Sequence, residues 1–496
     1  MEIKYKSTRD DSKLYSASYA IVKGLADDGG LFVPESFPSL SMDLDELCKL
    51  DYKGVAYNVM KLFFTDFTEE ELKYCIDNAY DSKFDTEEIA PLSYVDQAYY
   101  LELYHGSTIA FKDMALSILP YLMTVAAKKN NINEDIVILT ATSGDTGKAA
   151  LAGFADVPKT KICVFYPKGG VSAIQEKQMV TQVGKNVKVI GIKGNFDDAQ
   201  TGVKNIFGDA DFNKIINEKG YRFSSANSIN IGRLIPQVVY YVYAYCNLLK
   251  RGKIEDGDNI NFVVPTGNFG NILAGFFAQK IGLPINKLIC ASNDNKVLYD
   301  FFNTGVYDKN REFILTSSPS MDILISSNLE RLIYLSCNQN AQKNRELMDS
   351  LKKIGKYTID KDMNDYISSM FIGGYSSEEA VNSVINEIFD KTGYVIDTHT
   401  AVAASAYKEY RKNTNDETVS VIVSTASPYK FTRSVLGAIE GKKSDEEDFV
   451  LIDRLSEISN MQIPKAVEDI RNAKVLHDTV CEIDEMKNEI TKFLSL

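Results

Sequence analysis

A lysine among apolar neighbours is the residue of this sequence best suited to covalent chemistry. Lys112 directly follows Ala110 and Phe111, and one residue, Asp113, separates it from Met114 and Ala115. If such a lysine is buried, its pKa falls and its uncharged amine can attack a carbonyl to form a Schiff base. The alternative is a solvated lysine on an amphipathic helix, which is the commoner state of this residue type.

A glycine-containing loop at residues 142–147 could bind an anion. It follows an apolar run and precedes an alanine-rich stretch, the pattern of a strand, a loop and a helix. Helix N-termini bind anions through their unpaired N–H groups, and Gly144 and Gly147 let a ligand approach the backbone. Ser143 and Thr146 add hydroxyl donors. The alternative is an ordinary helix cap.

The same loop nearly matches the phosphate-binding loop of nucleotide hydrolases. Residues 141–148 read A-T-S-G-D-T-G-K, but residue 149 is alanine. That position needs a serine or threonine to ligate magnesium. A nucleotide-binding role is therefore a remote alternative.

A second strand, loop and helix are predicted at residues 261–275. A phosphate could be held by a cup of backbone N–H groups, formed by Gly267, Asn268, Phe269, Gly270 and Asn271. The spacing is not the G-x-G-x-x-G of dinucleotide-binding folds. We expect the helix to begin near Ile272.

Both loops require a sheet that places them together. From Tyr99 onward, short apolar runs alternate with helix-length stretches, and the runs lie at 136–139, 161–166, 187–192, 261–264, 288–291 and 419–423. This alternation predicts an α/β fold with mostly parallel sheets, enough for two lobes. Loops beyond the carboxyl ends of parallel strands are where such folds bind ligands.

Length and pattern predict three parts. The chain has 496 residues, too many for one ordinary domain. We expect an N-terminal, mostly helical domain at 1–95, a catalytic region of two α/β lobes at 96–440, and a C-terminal helical appendage at 441–496.

Composition excludes several classes of partner. The net charge of −13 disfavours nucleic acid and anionic membranes, so an anionic ligand would need a local cationic pocket. The uncharged stretch 234–249 is too short for a membrane helix and is expected to be a buried tyrosine-rich helix. Seven scattered cysteines and three histidines predict reduced thiols, no metal site and a cytoplasmic location.

The motifs together resemble the threonine synthase family, in the long-chain branch with an N-terminal domain. The resemblance rests on the order and spacing of stretches at 7–9, 28–34, 101–115, 142–147, 194–200, 227–233, 265–271, 318–322, 326–331, 397–400 and 424–431. It implies the fold of a fold type II pyridoxal-phosphate enzyme, with two α/β lobes and a mostly helical N-terminal domain.

The resemblance also implies roles for individual residues. Lys112 would be the catalytic residue and would bind pyridoxal 5'-phosphate covalently, and Thr425 would contact the pyridine nitrogen. The cofactor phosphate would lie in the cup formed by Gly267, Asn268, Phe269, Gly270 and Asn271. The substrate would be bound by Ser143, Gly144, Asp145, Thr146, Asn227, Ser228 and Arg233, the last three at its phosphate. Ser427 and Tyr429, beside Thr425, depart from the usual family residues.

The implied reaction converts O-phospho-L-homoserine and water to L-threonine and phosphate, in a monomer or homodimer. The alternatives are another fold type II lyase, such as a serine or threonine dehydratase, or an inactive relative. The dehydratases lack the phosphate clamp at 227–233.

Asp145 presents an electrostatic difficulty. A carboxylate beside the phenolic oxygen of the cofactor would repel it. We therefore expect Asp145 to hydrogen-bond to backbone or to the substrate amine rather than to face solvent.

Overall fold

Two sheets of mainly parallel strands carry the two anion-binding loops predicted above. The computed structural model describes residues 2–40, 42–142 and 144–496. Its strands are β1 (Tyr5–Ser7), β2 (Phe32–Pro34), β3 (Leu92–Val95), β4 (Ala98–Glu102), β5 (Asp135–Ala141), β6 (Thr160–Pro167), β7 (Val187–Ile192), β8 (Tyr221–Ser224), β9 (Ile260–Pro265), β10 (Ile285–Ser292), β11 (Val306–Asp308), β12 (Lys356–Thr358), β13 (Phe371–Tyr375), β14 (Ser420–Ser424) and β15 (Val480–Cys481).

Helices cover both faces of these sheets. They are α1 (Ala17–Lys23), α2 (Leu44–Leu47), α3 (Tyr52–Phe63), α4 (Glu69–Ala79), α5 (Asp113–Leu116), α6 (Leu119–Lys129), α7 (Asp145–Phe154), α8 (Ala173–Val180), α9 (Phe196–Gly208), α10 (Ala210–Glu218), α11 (Ile231–Lys250), α12 (Gly270–Lys280), α13 (Val297–Thr304), α14 (Leu329–Ser336), α15 (Ala341–Ile354), α16 (Lys361–Ser368), α17 (Glu378–Thr392), α18 (Thr398–Thr414), α19 (Thr432–Glu440), α20 (Asp448–Ser459), α21 (Lys465–Arg471) and α22 (Met486–Leu494). Short 3-10 helices occupy Pro319–Met321, Pro428–Phe431 and Ile483–Glu485.

The larger sheet has the strand order β13-β10-β9-β14-β4-β3. All neighbours are parallel except β3, which pairs antiparallel with β4 at one edge. The smaller sheet has the order β15-β7-β6-β5-β8 and is parallel throughout. The predicted α/β class with two lobes is confirmed, and each of the six apolar runs forms a strand.

The central strands and α11 form the inside of the molecule. Every residue of β9 and β14 is buried, as expected for parallel strands covered on both faces. Helix α11 is buried from 231 to 248, so the tyrosine-rich stretch is a core helix. In the part of the chain that the structure describes, no helix is both long and apolar enough to span a membrane.

The N-terminal residues share the core of the larger lobe. Phe37 and Phe63 pack against Phe277 of α12, with ring centroids 4.8 and 6.1 Å away. The hydroxyl of Tyr80 donates a hydrogen bond of 2.7 Å to the carbonyl oxygen of Met114 in α5. This packing brings the N-terminal residues close to the segment that carries Lys112.

The last part of the chain is divided between the two lobes. Helices α20 and α21 pack in the apolar cluster beside α17 and α19. Strand β15 joins the edge of the smaller sheet, and α22 packs in that sheet's own cluster. The smaller lobe is therefore completed by residues from the end of the sequence.

Candidate functional site

Lys112 lies at the entrance to α5, beyond the carboxyl end of β4. The segment is fixed to the end of β14, because Phe111 N–H donates a 2.8 Å bond to the carbonyl oxygen of Thr425. The Lys112 side chain is largely buried, and its Nζ lies 3.2 Å from Ser320 Oγ and 3.4 Å from Asp145 Oδ2. The structure thus places Lys112 in an enclosed site and not on a solvated helix face.

Asp145, the first residue of α7, is shared between two lysines. Its Oδ2 faces Lys112 and accepts a 3.0 Å bond from Ser320 Oγ. Its Oδ1 lies 3.1 Å from Lys430 Nζ and accepts a 2.9 Å bond from Gln175 Nε2. The carboxylate is buried, as expected, and its donors among the described residues are side chains. A bond to the substrate amine stays a prediction.

These contacts set the charge states of the cluster. Burial lowers the pKa of Lys112, and the nearby cations Lys430 and Arg233 lower it further, while Asp145 opposes them. Burial raises the pKa of Asp145, but Lys430 and Lys112 outweigh it and hold that pKa well below the usual range. Asp145 therefore stays ionised, whereas Lys112 can lose its proton more readily than a surface lysine.

The loop before α7 is shaped by Thr142. Thr142 Oγ1 accepts bonds of 3.0 and 2.9 Å from the N–H groups of Gly144 and Gly147. Gly144 has φ of 138°, and a Cβ there would lie 2.4 Å from Gln175, so the loop needs glycine at this position. Thr146 is half-buried in the first turn of α7, and Ser143 lies outside the described residues.

The cup before α12 contains a buried side-chain donor, Asn271 Nδ2. The hydroxyls of Tyr240 and Tyr241 donate to Asn271 Oδ1 over 2.8 and 2.7 Å. Asn271 Nδ2 is buried and has no partner among the described residues. Helix α12 begins at Gly270, two residues before the predicted start, so Asn271 lies in the first turn, where backbone N–H groups are unpaired.

The loop that carries Ser320 closes against this cup. A Cβ on Gly267 would lie 2.6 Å from the carbonyl oxygen of Ser320, which explains why a glycine stands there. Ser326 Oγ donates a 2.7 Å bond to the carbonyl oxygen of Gly267. The loop that carries Ser320 and Ser326 thus packs on one side of the cup residues Gly267, Asn268 and Phe269. Phe269 adopts a left-handed conformation with φ of 64° just before the helix.

Arg233, near the start of α11, is a buried cation without a counter-ion among the described residues. It is 4% exposed, and its Nη1 donates a 2.9 Å bond to the carbonyl oxygen of Ala226, while its Nε has no partner in the described chain. Burial lowers its pKa to about 10. A buried guanidinium without a counter-ion raises the free energy of the folded protein until an anion binds to it. A phosphate suits this group because two of its oxygens can accept parallel hydrogen bonds from the guanidinium.

Two further residues predicted for the clamp precede Arg233. Ser228 is half-buried, whereas the side chain of Asn227 is exposed. Ser228 is therefore the less exposed of these two predicted clamp residues.

The site is cationic although the chain is acidic. Burial lowers the pKa of Lys148, in α7, to about 8, with Asp113 opposing and Lys430 assisting. The four cations Lys112, Arg233, Lys148 and Lys430 thus outnumber the three nearby carboxylates Asp113, Asp145 and Asp397. This is the local cationic pocket that an anionic substrate requires.

Sequence reasoning missed three residues of the cluster: Ser320, His399 and Lys430. His399 Nδ1 lies 2.8 Å from the Asp397 carboxylate, and His399 Nε2 accepts a 3.2 Å bond from Ser320 N–H. His399 thus carries its proton on Nδ1 and orients the Ser320 loop. Ser320, His399 and Lys430 each lie in a stretch that carried the family resemblance. That location was the only signal in the sequence that could have identified them.

The arrangement fits pyridoxal phosphate. Lys112 can bind an aldehyde, and the cup at 267–271 offers the buried donor Asn271 Nδ2 to a phosphate. Thr425, only 5% exposed, follows the end of β14, and its carbonyl oxygen accepts the bond from Phe111 N–H, next to Lys112.

Family models match nearly the whole chain. Residues 4–80 match "Threonine synthase N terminus", residues 95–425 match "Pyridoxal-phosphate dependent enzyme", and residues 400–480 match "Threonine synthase, C-terminal". Among curated relatives, Threonine synthase-like 1 of Macaca fascicularis is 39% identical over 86% of this chain. The chain spans 58% of the length of that relative.

Full-length relatives and solved structures agree with these matches. Threonine synthase of Saccharomyces cerevisiae is 37% identical over 95% of this chain and 96% of its own. The yeast threonine synthase crystal structure has a TM-score of 0.89 at 34% identity, covering 100% of this chain and 99% of that one. A PLP-bound threonine synthase from Brucella melitensis has a TM-score of 0.88 at 33% identity, covering 100% of both chains. With this agreement in sequence, fold and site geometry, the chain belongs to the threonine synthase family.

Proposed function

We propose that this chain converts O-phospho-L-homoserine and water to L-threonine and phosphate, using pyridoxal phosphate. The observation that carries the proposal is the buried guanidinium of Arg233, which lacks a counter-ion among the described residues and lies close enough to Lys112 to lower its pKa. A substrate that brings its own phosphate supplies the missing negative charge.

The chain's own residues hold the substrate at both ends. Arg233 and Ser228 bind the phosphate, and Gly144 and Thr146 at the start of α7 bind the carboxylate. Asp145 keeps its charge compensated by Lys430, so the phenolic oxygen of a bound cofactor does not meet an unpaired carboxylate. This pairing removes the difficulty that the sequence raised.

Lys112 moves the protons. Pyridoxal phosphate, when bound, supplies an aldehyde that binds amines and a ring that accepts electrons. The Lys112 amine removes the proton from the substrate Cα and returns it there at the end. Between these steps a proton leaves Cβ and phosphate leaves Cγ, and then water adds its oxygen at Cβ while Cγ takes up a proton. Ser320 Oγ lies 3.2 Å from Lys112 Nζ and positions the amine for these proton transfers.

The rival functions have less support in the same geometry. A dehydratase has no use for Arg233 as a phosphate ligand. In a nucleotide-binding loop, the ionised carboxylate of Asp145 would lie at the helix N-terminus, where phosphate oxygens must bind.

The direct test is the visible spectrum of the purified protein, followed by phosphate release from O-phospho-L-homoserine. We expect a yellow protein that releases phosphate and forms threonine in equal amounts. Lys112→Ala should lose the absorption band of the bound cofactor and turnover of this substrate, because the covalent link and the base are both removed. A yellow wild-type protein that leaves this substrate unchanged would favour a different lyase.

Thr425 provides a second test of the cofactor site. A hydroxyl cannot hold a protonated pyridine nitrogen as a carboxylate does. Thr425→Asp should therefore reduce threonine formation roughly tenfold or more, with Thr425→Ser as the matched control that keeps the hydroxyl. Equal turnover in the Asp and Ser variants would count against contact between residue 425 and the ring.

The remaining assignments are also proposals. We propose that residues 1–95, 96–440 and 441–496 act as an N-terminal domain, a catalytic region and a C-terminal appendage. The cysteines of the described residues are free thiols, which supports a cytoplasmic enzyme. A monomer or homodimer is proposed on the family resemblance, and sedimentation of the purified protein distinguishes the two.

A further inference from the structure

Asn328 and Arg331 lie between the two loops assigned above to the two phosphates. Asn328 immediately precedes α14, and Arg331 lies in the first turn of that helix. Both residues are 0% exposed. Burying an arginine completely raises the free energy of the folded protein unless its N–H groups have acceptors. The acceptors of Arg331 therefore indicate its role.

Asn328 contacts both loops directly. Its backbone N–H donates a 3.1 Å bond to the carbonyl oxygen of Asn268, and its side-chain Nδ2 donates a 3.0 Å bond to the same oxygen. Nδ2 also lies 3.4 Å from the carbonyl oxygen of Ser228. Asn268 belongs to the cofactor phosphate cup and Ser228 to the substrate phosphate clamp. One side chain therefore links the backbones of the two loops.

Arg331 fixes Asn328 and the clamp together. Its Nη1 donates to Asn328 Oδ1, and its Nη2 donates a 2.6 Å bond to the carbonyl oxygen of Ile229. Its Nε donates a 2.8 Å bond to the carbonyl oxygen of Phe32 in β2. The planar fork of arginine thus joins three segments that lie far apart in sequence, and the N-terminal residues supply one anchor.

We infer that Arg331, acting through Asn328, is a positioning residue that keeps the cofactor phosphate cup and the substrate phosphate clamp at a fixed separation. The identity of the two anions rests on the proposed function. Because the two loops share Asn328, an anion that restrains one loop also restrains the other, so binding at one site strengthens binding at the other by the same factor.

The test compares Arg331→Lys and Asn328→Ala with the wild-type holoenzyme. Lysine keeps the positive charge but cannot reach three acceptors in three directions. Arg9→Gln is the matched control: Arg9 forms a bidentate pair of 2.8 and 2.7 Å with Glu330, the neighbour of Arg331 on the same helix. It removes a bidentate contact of α14 that involves neither loop.

Three quantities are measured: cofactor dissociation by visible absorbance, binding of inorganic phosphate by calorimetry, and KM and kcat for O-phospho-L-homoserine. Both test variants should weaken cofactor and phosphate binding by about tenfold each, the size of one lost charge-assisted hydrogen bond. They should raise KM more than they lower kcat. Inorganic phosphate should slow cofactor release in wild type but not in the variants. Arg9→Gln should lower only the thermal midpoint.

The inference is overturned if Arg331→Lys and Asn328→Ala lower only the thermal midpoint, or if just one of the two affinities falls. Asn328→Ala keeps the backbone bond to Asn268, so it carries the test if Arg331→Lys does not fold. Cofactor and inorganic phosphate binding need no turnover. Failure of O-phospho-L-homoserine to react would therefore overturn the proposed function and leave this result standing.

Discussion

Lys112 and Arg233 are two buried cations of one site with opposite surroundings. Lys112 faces Asp145, which is itself paired with Lys430. Arg233 donates to one carbonyl oxygen, and its Nε has no partner in the described part of the chain. A cation with its counter-charge in the protein can be tuned to exchange a proton, whereas a cation without one is suited to a ligand that brings the charge.

Replacing Arg233 tests the unpaired side of this comparison. Arg233→Met should raise KM for O-phospho-L-homoserine roughly hundredfold, because it removes a desolvated charge-assisted contact with phosphate. The free energy of unfolding of the ligand-free protein should stay within about 1 kcal/mol of wild type, because no buried ion pair is broken. Kinetics and urea unfolding measure the two effects.

An exposed arginine provides the control for that change. Arg222 is 45% exposed at its side chain and pairs with Glu134 on the surface. Arg222→Met should change neither KM nor stability noticeably. If Arg233→Met instead lost several kcal/mol of stability with KM unchanged, Arg233 would be structural and the comparison would fail.

Replacing Lys430 tests the paired side. Lys430→Met should lower the free energy of unfolding by about 2 kcal/mol, less than a fully broken buried pair, because Asp145 keeps Lys112, Gln175 and Ser320. It should also raise the pKa of Lys112, since the repulsion from Lys430 is lost. The pH midpoint of cofactor uptake by the ligand-free protein then moves upward. Lys430→Arg should restore both properties, and a midpoint that stays fixed would contradict the role of Lys430.

His105 offers a paired cation outside the cluster around Lys112, and its expected effect is on stability alone. Burial alone would lower its pKa, but hydrogen bonds to Asp85 and Glu102 raise that pKa to about 9 from 6.5. A raised folded-state pKa gives stability that is complete below pH 6.5 and is lost as pH rises through about 9. Because solvent screens this pair at the exposed Asp85, we expect it to contribute about 2 kcal/mol to the free energy of unfolding.

The measurement is urea unfolding of wild type and His105→Asn across that pH range. The two proteins should differ most near pH 6 and converge towards pH 10, roughly one unit past the point at which His105 loses its proton. His477→Asn is the control, because burial lowers the pKa of His477. A difference in stability that does not vary with pH would mean that the loss is one of packing alone.

The sequence predicted the elements that depend on local pattern. Continuous apolar runs identified the central strands, since parallel strands covered on both faces have no polar side. Gly144 and the loop at 267–271 were recognisable because turns and close approach restrict the residue type. The start of α12 was placed two residues late, since Phe269 in a left-handed conformation allows the helix to begin at Gly270.

The contacts that decide the chemistry depend on tertiary structure. Asp145 and Lys430 are 285 positions apart and meet only because two lobes face each other. No spacing in the sequence could show that a lysine compensates Asp145, or that Arg233 lacks a counter-ion among the described residues. Arg331 appeared only as part of a family motif, and its role followed from the three carbonyl and amide oxygens around it.

Strand β4, which precedes Lys112, pairs on one side with β14, and Val423 lies opposite Leu101. The two strands are separated by more than 300 residues, so their pairing requires closure of a very long loop, and contacts of this kind form slowly. Lys112 is therefore synthesised long before β14. It acquires its chemical environment only after almost the entire catalytic region has folded. Before that step nothing lowers the pKa of Lys112, so its amine stays protonated and unreactive, and the topology itself delays activity until assembly is complete.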